Sequence, residues 1–124
     1  MLTYATFKPE EKFRMKTSND DSYVVLKKEL NDAVFDVKTI DELDIWFDDE
    51  FLLRGEELIP TFVIKNVEGN NVTERDILIC GTIVFTSHDE EGNTVSLTNN
   101  AAQTILKFKH ALIGEHHVLV YENY

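Results

Sequence analysis

Leu2 and Tyr4 alternate with smaller or polar neighbours, and Phe7 follows after a slip of one position, which predicts a first strand over Leu2 to Phe7. Pro9 and the charges after it end that strand. Phe13 and Met15 then alternate with Lys12, Arg14 and Lys16, the pattern of a second strand with one wet face. Thr17 to Ser22 is a run of cap and turn residues. From Tyr23 to Leu30 two signals compete. Val24 and Val25 favour a strand, whereas Leu26-Lys27-Lys28-Glu29-Leu30 after a cap-rich stretch favours a short helix, the reading adopted. Ala33 to Val37 reads as a strand ended by Lys38 and Thr39.

The next stretch admits two registers. Asp44 to Asp48 forms a strand beside an acidic turn, or Leu43, Trp46, Phe47 and Phe51 form one face of a helix. Gly55 breaks either element, and Pro60 leads into a strand at Thr61 to Ile64. Asn66 to Asn71 has hairpin-turn chemistry, because Gly and Asn tolerate positive φ. Ile77 to Phe85 is a long β-rich run interrupted by Gly81, where a bulge or a close backbone approach is expected. Asp89 to Asn93 is another turn, followed by a short strand around Val95 to Leu97. A helix is predicted from Asn99 to Leu112, capped by Thr98 and ended by Gly114, with Ile105 and Leu106 buried. His117 to Tyr121 is a last strand, with Val118 and Val120 on one face. These elements add up to a single α+β domain over residues 1–124, a mostly antiparallel sheet with one long helix in the C-terminal half and one short helix.

At 124 residues the chain buries a sizeable core without staples. Its one cysteine, Cys80, leaves no internal disulfide framework and lies in an apolar run that predicts a buried, inert thiol. Met1 to Lys8 lacks the basic start and long apolar stretch of a signal peptide. No apolar run approaches the roughly 20 residues of a spanning helix. A soluble protein of the cytoplasm is therefore expected, with no membrane contact.

Charge changes the picture more than composition does. The formal net charge is −11, and Asp41 to Glu57 alone holds eight carboxylates against Arg54, for −7. The acids are Asp41, Glu42, Asp44, Asp48, Asp49, Glu50, Glu56 and Glu57. Leu43, Ile45, Trp46, Phe47, Phe51, Leu52 and Leu53 are threaded among them, so the segment folds rather than forming a solvated tail. A fixed negative field repels nucleic acid and attracts basic grooves.

Catalytic constellations are absent as local motifs. The chain has no Gly-x-Ser-x-Gly elbow, and its glycines spell neither a phosphate loop nor a dinucleotide fingerprint. A metal set could draw on His110, His116 and His117 with His88, but His116 and His117 point to opposite faces of a strand, so at most one could join His110, and no Cys or carboxylate completes a recognised spacing. Asp89 to Asn93 fails as a calcium loop, because Gly92 comes too early and the twelfth position from Asp89 is Asn100. Asn71-Val72-Thr73 matches the glycosylation acceptor pattern, idle in a protein that is not secreted. The expectation is a protein without catalytic residues, metal or cofactor.

From about Ile59 to Leu106 the chain resembles a family of small uncharacterised proteins carried by phages, plasmids and conjugative elements of Gram-positive bacteria. The residues that carry the resemblance are Ile59-Pro60, Glu68-Gly69-Asn70, Arg75 to Thr82, Glu91-Gly92-Asn93 and Ser96-Leu97-Thr98, with the acidic segment outside it. The resemblance implies a mobile-element origin. By class the chain is also similar to small acidic anti-CRISPR and anti-restriction inhibitors, which block the nucleic-acid groove of a host nuclease. The functional expectation is a non-enzymatic inhibitor whose acidic face occupies such a groove as a DNA mimic. Asp44, Trp46, Asp48, Asp49, Glu50, Glu56 and Glu57 would contact the partner, Trp46 as apolar anchor. The rival expectation is a mobile-element accessory domain that binds a protein without mimicking nucleic acid. Mimicry requires a contiguous negative face, whereas solubility needs only scattered charge.

Overall fold

A computed structural model describes residues 1–9, 12–31, 34–49, 60–68, 71–72, 77–113 and 115–123. The described residues form β1 (Leu2–Lys8), β2 (Lys12–Ser18), α1 (Ser22–Glu29), β3 (Phe35–Ile40), β4 (Leu43–Asp48), β5 (Pro60–Glu68), β6 (Asn71–Val72), β7 (Ile77–Cys80), β8 (Ile83–His88), β9 (Thr94–Val95), α2 (Asn99–Leu106), β10 (Lys109–Ile113) and β11 (His116–Asn123).

The strands make two sheets. The first has the order β2-β1-β8-β4-β3, with β9 beside the end of β8, and all its pairs are antiparallel. The second runs β10-β11-β5-β6, with β7 also on β5, and its β5–β11 pair is parallel. Alternation along each strand decides what each face carries. The core lies between the sheets. Phe7, Leu43, Ile45, Phe47, Ile83 and Phe85 come from the first, Phe62, Ile64, Ile79 and Leu119 from the second, with Phe108 wedged between them. The opposite face of the first sheet offers Leu2, Tyr4 and Val84 to Val25, Leu26 and Leu30 of the α1 region, with Phe35 and Trp46 at its margin.

The described residues form a mainly β domain with two helices of eight residues each, and the expected α+β architecture with one long helix is overturned. Thr98 does cap α2, its hydroxyl accepting the Ala101 amide at 3.1 Å. The helix nevertheless stops at Leu106, well short of Gly114, and residues 109–113 pair with β11. Phe108 explains the stop. Its ring is buried edge-on to Phe62 at 5.0 Å and to Tyr121 at 5.7 Å, a position the chain reaches by turning out of the helix at Lys107. The apolar positions after Thr104 fit a strand as well as a helix, and the open pairing edge of β11 selects the strand. Ile105 is half-buried, but Leu106 is 83% exposed and Leu112 66%. The core stripe predicted over 99–112 therefore ends with the second turn.

Gly81 does more than interrupt a run. With φ +81° it turns the chain out of β7 in one sheet and into β8 in the other, so Ile77 to Phe85 is two strands of two layers. Thr61 locks that crossing by donating its hydroxyl to the Gly81 carbonyl at 2.7 Å. The short helix at α1, the strand alternative for Asp44 to Asp48 and the turn at Asp89 appear as expected. Strands β5 and β6 pair as a hairpin, but Asn66 to Glu68 and Asn71 of the expected turn are strand, and residues 69–70 lie outside the described residues. Cys80 is buried, and desolvation pushes its thiol above the usual range. No helix among the described residues is long and apolar enough to cross a membrane.

Candidate partner-binding surface

The region that unites the predicted site residues is built from α1 and the β3–β4 hairpin. Asp21 starts α1 by accepting the Tyr23 amide on its carboxylate at 2.9 Å, which sets Tyr23 in the first turn. Valines at 24 and 25 are tolerated because Val25 is buried against the sheet, while Tyr23 and Val24 are left outside. The β3–β4 hairpin turns through Asp41, which adopts φ +53°, a conformation Asp visits more readily than most residues. Its register sets Phe35 opposite Asp48, Val37 opposite Trp46 and Thr39 opposite Asp44.

Three aromatic rings then form a continuous ladder. Tyr23 lies 5.9 Å from Phe35, and Phe35 lies 5.7 Å from Trp46 at 80°, the edge-to-face arrangement that ring quadrupoles prefer. Trp46 is half-buried, and its indole N–H donates to the Thr86 hydroxyl at 2.9 Å. It is the inner rung of the ladder rather than a protruding anchor. The exposed rungs are Tyr23, 58% accessible, and the neighbouring Val24 and Val34. The Asp49 amide donates to the Val34 carbonyl at 2.9 Å, which holds the start of the acidic connection against this apolar surface.

The described carboxylates of the predicted site divide between two places. Asp48 is half-exposed opposite Phe35, and Asp49 is exposed just beyond it. Asp44 is only 5% exposed, where it accepts the Thr39 hydroxyl at 3.0 Å and pairs with His88 Nδ1 at 2.9 Å, so it is withdrawn from the charged face expected of it. Glu50, Glu56 and Glu57 lie outside the described residues. Two further acids of the segment, Asp41 and Glu42, sit at the other end of β4, about 20 Å from Asp48 along six residues of strand. Glu42 is committed to the first turn of α2. It accepts the Thr98 hydroxyl at 2.6 Å and the Asn100 amide at 3.2 Å, and those hydrogen bonds, Thr98 first, hold its carboxyl below the usual range. Among the described residues, the segment's charge is contiguous along the chain but not across the surface.

Two groupings escaped the sequence reading. One is the ladder itself, because Tyr23, Phe35 and Trp46 lie on three elements and meet only through packing. The other is the Asp44–His88 pair, in which the carboxylate orients the imidazole and ties β4 to β8. Among the described residues, no three or more His, Cys, Asp or Glu side chains converge as a metal site. An open depression of about 360 Å³ lies on the second sheet, lined by Lys107, Lys109, Val120, Tyr121 and Glu122, and contains none of the predicted residues.

A family described as "Domain of unknown function (DUF3846)" matches residues 3–110, most of the chain, and the chain belongs to it. The match is wider than the resemblance read over Ile59 to Leu106, and it takes in the acidic segment. No curated protein and no solved structure matches the chain.

Proposed function

We propose that this DUF3846 domain works by binding a basic protein surface through the aromatic and acidic face of α1 and the β3–β4 hairpin. The observation that carries this reading is the Tyr23–Phe35–Trp46 ladder with Asp48 opposite Phe35 and the Asp49 amide bonded to Val34 beside it. The exposed Tyr23 ring, backed by the half-buried Phe35 and Trp46, supplies apolar contact area at low entropic cost, and nearby carboxylates supply steering and selectivity for a cationic partner. The partner class to test first is the basic nucleic-acid groove of a host defence nuclease, with the domain as a non-enzymatic inhibitor of the anti-CRISPR kind. In this version of the idea the contact is a mixed aromatic and acidic patch. A row of phosphate-like charges fits less well, because Asp44 is buried and β4 separates Asp41 and Glu42 from Asp48 and Asp49.

The experiment is a nuclease inhibition and DNA-binding assay over a salt series and both orders of addition. Inhibition should weaken as salt rises, since screening acts over about 8–10 Å at 0.1–0.15 M. Domain added first should block DNA loading, and DNA added first should protect the nuclease. Tyr23→Ala and the triple change Asp48→Lys, Asp49→Lys, Glu50→Lys should each abolish inhibition in protein whose circular dichroism is unchanged. Full inhibition by both variants would remove this surface from the mechanism. Failure to bind any nuclease would leave the accessory protein-binding alternative.

A further inference from the structure

The exposed end of the ladder already holds a cation. Lys27 follows Tyr23 by one helical turn, and its ammonium sits 5.8 Å from the centre of the Tyr23 ring. An α-helix brings residues four apart onto one face, so the contact is imposed by α1 and not by a distant partner. Lys28, the next residue, turns away to Asp20 at 3.0 Å. The Tyr23 ring is tilted 56° against Phe35, and the residue is 58% exposed, so much of it is accessible to a partner. Among the described residues, the ring is the one contact of the Lys27 ammonium.

We infer that the Tyr23 ring receives a cationic side chain of the partner, arginine in preference to lysine, and that Lys27 fills that position until the partner displaces it. This rests on the proposed binding of a basic surface and specifies how one residue of that surface is recognised. Arginine is favoured because its planar, weakly hydrated guanidinium stacks on an aromatic face, whereas an ammonium offers only a point charge. The carboxylate of Asp48, opposite Phe35 in the register, and that of Asp49 lie next along the ladder, where a second basic residue of the same partner would meet them. Lys27 thereby acts as an internal competitor, and an exposed cation–π contact is weak enough to be exchanged.

The test uses the full chain and an oligo-arginine peptide as probe, with oligo-lysine of the same length beside it, in titrations at low and physiological salt. Oligo-arginine should bind more tightly than oligo-lysine. Tyr23→Phe should preserve binding, and Tyr23→Leu should weaken it. Lys27→Met, which keeps the unbranched stem and removes the charge, should tighten binding by roughly two- to fivefold. Lys107→Met changes the net charge equally at the far end of α2 and should leave affinity nearly unchanged. Equal tightening by Lys27→Met and Lys107→Met would reduce the effect to net charge and overturn the inference, as would wild-type affinity in Tyr23→Leu. Those results leave the basic-partner reading intact. Absence of binding to either peptide at low salt would overturn that reading and this inference together.

Discussion

At one outer edge of the first sheet, the β1–β2 hairpin sets Arg14 opposite Thr6 and Lys16 opposite Tyr4, so these two cations share with Lys8 the face that α1 covers. At the other edge, β3 and β4 carry Asp36, Asp44 and Asp48, with Asp49 following. The two edges handle their charge differently. On the basic side Glu29 of α1 gathers Lys16 at 3.1 Å, Lys8 at 3.7 Å and the Tyr4 hydroxyl at 3.5 Å. Burial, and then the nearby Glu29 charge, push the Tyr4 phenol above its usual range. On the acidic side Asp44 is buried against His88, Asp48 is half-exposed opposite the half-buried Phe35, and Asp49 is exposed. The lysines gathered by Glu29 serve the fold, whereas the carboxylate of Asp49 is exposed at the end of the β3–β4 hairpin. A formal net charge of −11 conceals this segregation.

The largest break of the comparison is at β8, the strand that joins both edges. Phe85 is fully buried between Phe13 and Phe108, so Phe85→Ala should cost about 3–5 kcal/mol by urea unfolding and degrade both edges together. If the edges are separable, hydrogen exchange would show only one of them loosened.

Asp44→Ala comes next. It removes the acceptor shared by Thr39 and His88, groups that can regain water because both are partly exposed, and the expected loss is about 1–2 kcal/mol. Peptide binding should persist, since Asp44 is withdrawn from the surface. Lost binding in a folded Asp44→Ala variant would return Asp44 to the site.

Thr98→Ala separates capping from surface charge. The variant loses the α2 cap, about 1 kcal/mol, and frees Glu42 from its principal hydrogen bond, so the Glu42 carboxyl should titrate closer to an ordinary glutamate by NMR. The folded pKa of Glu42 is depressed, so its contribution to stability is present above the unfolded value and is lost as pH falls through the folded one. The part of the difference between wild type and Thr98→Ala that comes from Glu42 should accordingly shrink on acidification, and a constant difference would assign the whole effect to the cap.

Glu29→Gln should have the smallest effect, at most about 1 kcal/mol, because the lysines it gathers are partly solvated and screened by salt. Its sharper readout is the Tyr4 phenol, whose spectrophotometric titration should move back toward the ordinary range. An unmoved Tyr4 would leave desolvation as the whole cause.

Much of the local structure was legible in the residues themselves. The alternation of Phe13 and Met15 with basic residues marked β2, the Asn-rich turn marked the β5–β6 hairpin, and Thr98 marked the start of α2. These signals are short-range, since they depend on φ preferences, caps and the period of two. Asp48 and Asp49 were also legible as partly exposed charge, while Asp44 was not separable from them by type.

What remained was decided where elements compete for the same neighbours. Residues 107–113 suit a helix or a strand, and the pairing edge of β11 together with the buried Phe108 ring ended the helix at Leu106 and made a strand of residues 109–113. Gly81 looked like an irregularity in one strand until the second sheet gave the chain somewhere to cross. The sequence by itself determined the alphabet of turns, caps and strands, the sign of the charge and the segment that carries most of it. Only the tertiary structure decided which carboxylate is buried, which end of β4 each of the others occupies, and that Tyr23, Phe35 and Trp46 meet. Those outcomes depend on sheet order and register between residues far apart in the chain, where the free energy lies in packing rather than in any local preference.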